Sequence, residues 1–385
     1  MIPARVALLT NFIPPYRESL FRAIGSRVGE LRVFLASPSA RKPEQPGTEG
    51  FDVTIQKQFS MRRPRVHPVG FTDTTDVVVP FDTRRQLAEY QPDVVISGEC
   101  GFRSLQSAVY CLRHTRCRLV LWATLSEHTE VGRGRLRQVA RRWLFRRAAA
   151  VFVNGQSGRR YVEGLGCDSA KVTEVPYTVP MSAFTSRNSR PSSSQVRRLL
   201  YVGQLIERKG ILPFIQNLSH FCTNNPAIPI ELSIAGAGPL EQLLKSQTLG
   251  GRGTIRFLGA VPYIELPSVY ADADMFVFPT LADEWGVVVN EAMASGLPVL
   301  GSVYSQAVEE LVEDGVTGWV FRPDNADEVT SKLNQALAAS IAQLEEMGTL
   351  AAERISEVTP EAAAEQMVNA ISKILGPSTL DLRLA

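Results

Sequence analysis

Short apolar runs alternate with stretches of helical periodicity along most of the 385-residue chain. The runs are rich in Val, Ile, Leu and Phe and end at polar, Gly or Pro residues, which is typical of parallel strands buried on both faces. They predict strands at 5–10, 31–36, 51–55, 77–79, 93–97, 118–123 and 150–154, and again at 199–202, 230–235, 254–258, 275–278, 299–301 and 318–321. The helical patterns between them predict crossover helices, so the expected fold class is α/β with two Rossmann-like, doubly wound sheets.

One stretch, residues 181–195, interrupts this alternation. It reads MSAFTSRNSRPSSSQ, is rich in Ser, Arg and Pro, and lacks apolar periodicity, which is typical of a linker. We therefore predict an N-terminal α/β domain over 1–180 and a C-terminal α/β domain over 196–358, which face each other across a ligand-binding cleft. A last helix at 360–376 is predicted to pack back on the N-terminal domain.

The segment 274–300 reads as strand, loop, helix and strand, one unit of a parallel sheet. In open parallel sheets, ligands bind beyond the carboxyl ends of the strands and against helix N-termini. That position carries two carboxylates, Asp283 before the helix and Glu291 within it. Between them lie the backbone amides of Trp285, Gly286 and Val287. The pattern favours a site that holds a phosphate at the helix end and binds sugar hydroxyls through its carboxylates.

Three other strand ends in the second half carry loops suited to an anion or a nucleotide. The first holds Arg208 and Lys209, whose positive charges suit a diphosphate leaving group. The residues that border the three loops are Gly203, Gly236, Gly238 and Leu258. Taken alone, the first loop is also typical of an exposed basic turn, and the Gly236–Gly238 loop of a tight turn. Together with segment 274–300 they lie on one predicted sheet edge, and the set favours a ligand site.

These segments, taken in order, resemble the retaining glycosyltransferases of family 4, which have the two-domain GT-B fold. The matching segments are YVGQLIERKG (201–210), IAGAGPL (234–240), IRFLGAV (255–261), DEWGVVVNEAMASGLPVL (283–300) and EELVEDGVTGWVFRPDNADEV (309–329). The first half matches more loosely, through TNFIPPYRESLFRAI at 10–24 and VNGQSGRRYVEGLG at 153–166. The resemblance implies transfer of a hexosyl-type sugar from a UDP- or GDP-sugar with retention of configuration, and without a metal or a cofactor.

Carried over by position, the resemblance implies a donor site in the C-terminal domain. Lys209 would bind the diphosphate, Glu291 the ribose hydroxyls and Asp283 the donor sugar. The amides of 285–287 would face the sugar and the phosphate, and the glycine loops together with Leu258 would border the nucleotide. Lys209 and Asp283 are the predicted catalytic residues of this domain: Lys209 would stabilise the charge on the leaving diphosphate, and Asp283 would hold the donor sugar.

Three positions depart from the family pattern. Asp283 replaces a glutamate and is one methylene shorter, so Glu284 is an alternative contact for the sugar. Gln204 stands where an arginine that binds the diphosphate is usual, and Arg208 is the candidate replacement. The sequence Tyr-Ser-Gln-Ala at 304–307 replaces a Gly-Gly pair that is often found near the donor.

The resemblance assigns acceptor binding to the N-terminal domain. His128 follows a predicted strand end, where the family often has a histidine near the donor sugar, and it is the third predicted catalytic residue. A surface histidine without such a role is the alternative. Glu99, after strand 93–97, is a candidate carboxylate on the acceptor side. Asn11 and Tyr16, in the loop after the first strand, complete the acceptor-side set.

Charge is distributed unevenly along the chain. Residues 1–195 contain 29 Lys and Arg against 16 Asp and Glu, whereas 196–385 contain 12 against 23. Seven of the arginines fall within 133–147, in a segment with helical periodicity. Its apolar residues are predicted to form one stripe, made by Leu136, Val139, Trp143 and Leu144. Such a helix suits an anionic membrane surface, and hence a lipid-linked acceptor, but it equally suits a core helix with a solvated basic face.

Five scattered cysteines show no paired or zinc-like spacing and fit a reducing compartment, and no apolar run is long enough to span a membrane. We expect a cytoplasmic protein, peripheral on the inner face of the plasma membrane if the basic helix binds lipid. No nucleic-acid-binding module is visible. Three functions stay open: a retaining glycosyltransferase of cell-envelope or exopolysaccharide synthesis, a sugar-nucleotide epimerase on the same fold, and a non-catalytic nucleotide-sugar binder.

Overall fold

The structure, a computed structural model, describes residues 1–36, 50–184 and 196–376. Of the predicted linker, only 181–184 fall within these ranges, and 185–195 lie outside the described residues. The described chain has an α/β fold with two large parallel sheets, one in each of two compact units. The fold class predicted from the alternation of strands and helices is therefore confirmed.

Unit 1 comprises Met1–Arg65, Thr74–Val179 and the described residues from Val358 onward. Its elements are β1 (Ile2–Thr10), α1 (Pro15–Gly25), β2 (Val28–Leu35), β3 (Asp52–Ile55), β4 (Gln58–Val66), β5 (Thr72–Pro80), α2 (Thr83–Tyr90), β6 (Val94–Gly98), α3 (Phe102–Arg113), β7 (Arg118–Ala123), α4 (Glu127–Glu130), α5 (Arg135–Arg147), β8 (Ala150–Val153), α6 (Gln156–Gly164), β9 (Val172–Glu174) and α14 (Pro360–Leu375). The main sheet has the strand order β3-β2-β1-β6-β7-β8-β9, and β4 pairs with β5 separately.

Unit 2 comprises Pro180–Glu357 together with Val66–Asp73, the segment around the turn between β4 and β5. Its elements are β10 (Arg197–Val202), α7 (Ile211–Asn224), β11 (Ile230–Ala235), α8 (Glu241–Lys245), β12 (Gly253–Gly259), α9 (Leu266–Ala271), β13 (Met275–Phe278), α10 (Val287–Ala294), β14 (Val299–Ser302), α11 (Gln306–Leu311), β15 (Gly318–Phe321), α12 (Ala326–Ala338) and α13 (Ile341–Ile355). The strand order of its sheet is β12-β11-β10-β13-β14-β15.

The central strands of both sheets are buried on both faces, as their unbroken apolar runs predict. In β1 the residues from Val6 to Leu9 are inaccessible to solvent, and all four residues of β13 are buried. The order of strands reverses at one point in each sheet, between β1 and β6 in unit 1 and between β10 and β13 in unit 2. Ligands of open α/β sheets bind at such points, beyond the carboxyl ends of the strands.

The last described helix, α14, belongs to unit 1. The Thr359 hydroxyl accepts a hydrogen bond from the Ala362 amide and caps the helix, and Pro360 occupies its first turn, where a missing N–H group costs nothing. Its apolar face includes Met367 and Ile371, both inaccessible to solvent, and the helix contacts α1, β8 and β9. The unit that starts the chain is thus completed by the last described helix.

The helix α5 differs from its prediction in how its faces are used. Leu144 is buried and Trp143 is half-buried, but Leu136 and Val139 are 88% and 60% exposed, so the fold covers only one end of the predicted apolar stripe. The inward face instead contains Arg141, which is inaccessible to solvent and forms an ion pair with the buried carboxylate of Glu130. A hydrogen bond to the Tyr161 hydroxyl further satisfies the buried guanidinium. This internal ion pair takes the place that an apolar residue would otherwise fill.

Candidate functional site

The loop after β10 and the loop after β13 meet at the sheet edge where the strand order of unit 2 reverses. Gly210, which ends the turn that carries Arg208 and Lys209, has φ of +68°. A Cβ atom there would lie 2.0 Å from the Pro279 carbonyl oxygen, so only glycine allows this approach. The Arg208 carbonyl accepts a hydrogen bond of 2.8 Å from the Leu281 amide. Two segments more than seventy residues apart are thereby fixed against each other.

Lys209, Arg208 and Asp283 form the charged centre of this edge. The Lys209 ammonium pairs with Asp283 Oδ2, and Arg208 Nη1 lies 3.9 Å from Asp283 Oδ1. Burial alone would raise the pKa of the Asp283 carboxyl, but the charges of Lys209 and Arg208 outweigh burial and hold this pKa below its ordinary value. Asp283 is therefore ionised at neutral pH. The structure brings together the two residues predicted to bind diphosphate and sugar.

A second carboxylate, which no sequence motif signals, orients Arg208. Asp73 Oδ2 lies 3.0 Å from Arg208 Nε, and Arg208 Nη1 donates to the Ala282 carbonyl over 3.0 Å. The amide of the neighbouring Thr72 donates a hydrogen bond of 2.7 Å to Glu207 Oε2. The segment Val66–Asp73 therefore contacts the turn of Arg208 at two points. Because Asp73 lies more than 130 residues earlier in the chain, local spacing carries no information about this contact.

Residues 304–307, which replace the Gly-Gly pair of the family, hold the acidic loop in place. The Tyr304 carbonyl accepts a hydrogen bond of 2.9 Å from the Asp283 amide, and the Ala307 amide donates to the Trp285 carbonyl over 3.0 Å. The Ser305 hydroxyl donates to the same carbonyl. The third departure from the family pattern thus supplies backbone and hydroxyl contacts that position Asp283.

The turn into α10 depends on Gly286. Its φ is +98°, and a Cβ atom would lie 2.6 Å from the Phe278 ring and 2.8 Å from the Ser305 hydroxyl. The same Phe278 ring lies 5.2 Å from Lys209 Nζ, a cation–π distance. Trp285 is buried, and its indole N–H donates to Asn290 Oδ1 over 2.8 Å. The amides at the start of α10, including that of Val287, therefore have a fixed direction.

Asp283 and Glu284, the two candidates for the sugar contact, have opposite surroundings. Asp283 is buried and paired with Lys209, whereas Glu284 is exposed. The Glu284 backbone carbonyl accepts a hydrogen bond from the side-chain amide of Gln306. The buried position of Asp283 suits an ordered contact with a ligand. Glu284 adds negative charge at the solvent-exposed side of the same loop.

Glu291 lies on α10 and is only 2% exposed. Its Oε2 accepts a hydrogen bond of 2.8 Å from the hydroxyl of Tyr270, on α9. Burial raises the pKa of Glu291 to about 7, although the Tyr270 hydrogen bond favours the ionised form. The hydroxyl of Tyr263 is also buried and has no hydrogen-bond partner among the described residues. A buried carboxylate beside an unused hydroxyl is suited to a ligand that offers hydroxyl groups.

The glycine loops pack against each other at the carboxyl ends of β10, β11 and β12. A Cβ atom on Gly236 would lie 1.8 Å from the Gly203 carbonyl oxygen, and one on Gly238 would lie 2.5 Å from the Leu205 carbonyl oxygen. Gln204 is exposed between them, and Leu258 is half-buried at the end of β12. This packing by itself is enough to require glycine at 236 and 238. Contact of these loops with a nucleotide stays a prediction.

In unit 1, Asn11 and Glu99 meet where the order of the sheet reverses. The Asn11 amide donates to Glu99 Oε1 over 3.3 Å, and the buried guanidinium of Arg103 donates to Asn11 Oδ1 over 2.6 Å. Glu99 has φ of +72°, which is uncommon for a residue with a side chain and marks functional sites in many proteins. No motif in the sequence singles out Arg103, whose Nη1 also lies 3.7 Å from Glu99 Oε2.

The other two predicted residues of unit 1 are Tyr16, which follows β1 as Asn11 does, and His128, which follows β7. Tyr16 lies in the first turn of α1, and its ring centroid is 5.9 Å from that of Tyr177. His128 is half-buried in the short helix α4, after β7. The catalytic role of His128 and the acceptor-side role of Tyr16 stay predictions.

Within residues 1–36, 50–184 and 196–376, no group of three or more His, Cys, Asp and Glu side chains is arranged to hold a metal ion. None of the described helices has both the length and the apolar character needed to cross a bilayer.

The fold and the charged sheet edge define a two-unit α/β protein of the GT-B type. The family of glycosyl transferases group 1 matches residues 183–354, and the glycosyl transferase 4-like domain matches residues 13–178. The chain thus belongs to the family 4 type of GT-B glycosyltransferases.

Solved structures of this fold resemble nearly the whole chain. The lipopolysaccharide outer core galactosyltransferase WaaB aligns with a TM-score of 0.72 and 12% identity over 95% of this chain and 99% of its own. The sucrose-phosphate synthase of Thermosynechococcus elongatus aligns with a TM-score of 0.70 and 18% identity over 96% of this chain and 98% of its own. At these identities the likeness shows the fold alone.

Curated relatives include enzymes of polysaccharide and glycolipid synthesis. The amylovoran biosynthesis glycosyltransferase AmsK of Erwinia amylovora is 30% identical over 47% of this chain and 43% of its own length. The GDP-mannose-dependent alpha-(1-6)-phosphatidylinositol monomannoside mannosyltransferase of Mycolicibacterium smegmatis is 26% identical over 86% of this chain and 88% of its own. Several matches are partial, and three of them span only 54%, 36% and 43% of the relative's length.

Proposed function

We propose that the protein is a retaining glycosyltransferase that transfers a hexosyl group from a UDP- or GDP-sugar to a glycan or lipid-linked saccharide. The observation that supports this most is the cluster of Lys209, Arg208 and Asp283 at the reversal point of the unit 2 sheet. A diphosphate needs fixed cations, and a sugar needs a held carboxylate. This edge provides both within one set of contacts.

In this proposal the leaving diphosphate binds Lys209 and Arg208, and the first amides of α10 donate to it. The C1–O bond to the diphosphate breaks while the acceptor oxygen bonds to C1 on the same face, and the acceptor proton passes to the leaving phosphate oxygen. The protein residues stabilise charge and orient the reactants. We propose that no metal is needed, since the two cations already face the place where negative charge grows.

The proposed nucleotide bases follow what the names of related proteins state. One relative is GDP-mannose-dependent, and Anabaena HepE has been solved with UDP and glucose. The buried Glu291 carboxylate and the unpartnered Tyr263 hydroxyl suit the hydroxyls of a ribose, which both nucleotides contain. The donor is therefore expected to be a ribonucleotide sugar of one of these two bases.

The proposed acceptor is a saccharide of cell-envelope or exopolysaccharide synthesis, bound by unit 1. Phosphatidyl-myo-inositol mannosyltransferase of Mycobacterium leprae, 27% identical over 78% of this chain and 75% of its own, is named for a lipid acceptor. Asn11, Tyr16 and Glu99 are the proposed acceptor-side residues, with Arg103 holding the first and the third. A cytoplasmic location, predicted from the unpaired cysteines, stays a prediction.

A donor screen followed by product analysis tests the proposal. We expect one UDP- or GDP-sugar to raise the melting temperature more than the others do, because a ligand that binds only the folded state stabilises it. Transfer from that donor to a saccharide acceptor should give a product with the anomeric configuration of the donor, as read by NMR. An inverted product contradicts retention. Formation of a nucleotide sugar epimer supports the epimerase, and tight binding without turnover supports the non-catalytic binder.

The pH dependence of donor binding tests the role of Glu291. The pKa of Glu291 is raised to about 7, and ribose hydroxyls donate best to the ionised carboxylate. The dissociation constant should therefore be flat above pH 7 and should rise by up to about tenfold per pH unit below it. Calorimetry from about pH 5.5 to 8.5 measures this, with a nucleotide sugar as ligand, since its diphosphate diester lacks the ionisation near pH 6 of a terminal phosphate.

The Glu291→Gln variant should lose most of this pH dependence and bind about 10- to 100-fold more weakly at pH 8, the value of a hydrogen bond to a charged group. Glu265→Gln, which changes an exposed glutamate of the same unit, should behave like the wild type. Unchanged affinity and an unchanged pH profile in Glu291→Gln would contradict the ribose contact.

A further inference from the structure

The outward face of α5 combines cations with exposed apolar side chains. Leu136 and Val139 are 88% and 60% exposed, and Arg135 and Arg142 are exposed beside them. Since residues three or four apart share one side of a helix, positions 135, 139, 142 and 146 lie along a single stripe. Val139 lies within this stripe and Leu136 at its side, and exposed apolar side chains there are unusual in a helix whose opposite face is already packed.

The packing of the inward face fixes this orientation. Arg141, Leu144 and Phe145 are buried, and the Glu130 carboxylate holds Arg141. Rotation of the helix to bury Leu136 and Val139 would expose Leu144 and Phe145 and would break that ion pair. The exposure of the apolar residues is therefore set by the fold of unit 1.

The positive charge on the outward face is not balanced locally. Arg135, Arg142 and Arg146 form no ion pair with any described residue, and residues 131–162 contain no Asp or Glu. Glu130, the nearest acidic side chain on the N-terminal side, faces three other arginines, with Arg133 Nε at 3.6 Å and Arg137 Nε at 3.9 Å. A surface with this charge attracts anionic partners.

We propose that the outward face of α5 docks on an anionic phospholipid bilayer, with Leu136 and Val139 inserted below the headgroups and the arginines on the phosphates. A bilayer interface accepts both groups, because its headgroups are charged and its acyl boundary is apolar. A nucleic acid would use the arginines but would leave the two apolar side chains in water. With 13 residues, α5 is about 20 Å long, so it lies along the membrane and does not cross it.

Docking would bring unit 1 to the surface where lipid-linked molecules are found. The proposed membrane contact is made by one helix of unit 1 and does not depend on the donor site of unit 2. A failed transfer assay and a failed membrane assay therefore have different meanings and can be told apart.

Co-sedimentation of the full chain with vesicles tests the proposal. The wild type should bind vesicles of phosphatidylcholine with phosphatidylglycerol and should not bind phosphatidylcholine alone. Arg135→Gln/Arg142→Gln/Arg146→Gln should weaken binding by about 100-fold, or roughly fivefold for each arginine near the surface. Leu136→Ser/Val139→Ser should weaken it by about tenfold or more, because two inserted apolar side chains are lost.

The matched control removes three exposed arginines of unit 1 outside α5, Arg84→Gln/Arg113→Gln/Arg116→Gln. It should bind vesicles nearly as well as the wild type, since these arginines lie outside α5 and the proposed contact is made by the outward face of that helix. Melting temperatures of all variants should match the wild type, because the changed side chains are exposed.

Four results would overturn the proposal. The first is the absence of wild-type binding to anionic vesicles, and the second is an equal loss in the control, which would show adsorption by overall charge. The third is full binding by Leu136→Ser/Val139→Ser, which would show contact without insertion. Tight binding to duplex DNA in place of vesicles would assign the face to a polyanion and would overturn it equally.

Discussion

Replacing Lys209 by alanine is expected to lower kcat by about 10²–10³-fold, the loss that follows removal of one group that stabilises charge in a transition state. The Lys209 ammonium lies against Asp283 and beside Phe278, where little solvent is available to replace it. Initial rates of sugar transfer with the donor found by screening measure the effect. Lys245→Ala, which removes an exposed lysine paired with Glu241 in the same unit, should retain wild-type rates.

A second variant separates chemistry from folding. Lys209→Ala leaves the buried Asp283 carboxylate with only Arg208 nearby, so the melting temperature should fall along with the rate. Adding Asp283→Asn removes the unpaired charge and should restore part of the melting temperature without restoring the rate. Transfer by Lys209→Ala at a rate close to the wild type would refute the role of Lys209 in binding the diphosphate.

Replacing Glu130 by glutamine is expected to lower the free energy of unfolding of unit 1 by about 3–5 kcal/mol, the cost of breaking a buried ion pair. Glu130 and Arg141 are both buried, and the guanidinium would keep its charge with no carboxylate to balance it. Urea unfolding followed by circular dichroism measures the change. Glu130→Gln/Arg141→Met, which removes the cation too, should recover part of the loss, since an apolar side chain fits this face of α5.

An exposed ion pair of the same region provides the control. Glu127 and Arg160 lie 2.7 Å apart, with side chains 40% and 46% exposed. Glu127→Gln should lower the stability by less than about 1 kcal/mol, because exposed ion pairs in water contribute little. Equal losses in Glu127→Gln and Glu130→Gln would show that burial of the Glu130–Arg141 pair has no special weight.

The alternation of strands and helices could be predicted because burial dictates it. A parallel strand covered on both faces requires an unbroken apolar run, and both central regions show one. The hairpin strand β4 (Gln58–Val66) is mostly exposed and carries polar residues and Pro64, so no apolar run signals it. The predicted strand 77–79 lies in β5, which pairs with β4 and not with the main sheet. Pairing outside a core leaves little trace in the sequence.

The site shows the same division between local and distant information. Lys209, Asp283 and Glu291 could be found because the chain places each directly after a strand or on the helix that follows it. Asp73, Tyr270 and Arg103 could not, since each acts through a contact that only the folded chain creates. Helix α5 could not be oriented from its periodicity. Arg141 lies on its inward face, and periodicity assigns charged side chains to the solvent.

The pairing of cations and carboxylates around Arg208 and Lys209 has a consequence for the order of events at the donor site. Asp73 and Asp283 balance the two cations, so the resting site carries no net charge from these four groups. If Lys209 binds the diphosphate as proposed, it would leave Asp283, and that exchange would release the carboxylate proposed to hold the sugar. A free sugar would meet an Asp283 still paired with Lys209, whereas the diphosphate of the intact donor would draw Lys209 away from it. Selection for the complete nucleotide sugar would then follow from a change of partners and would not require a separate recognition element.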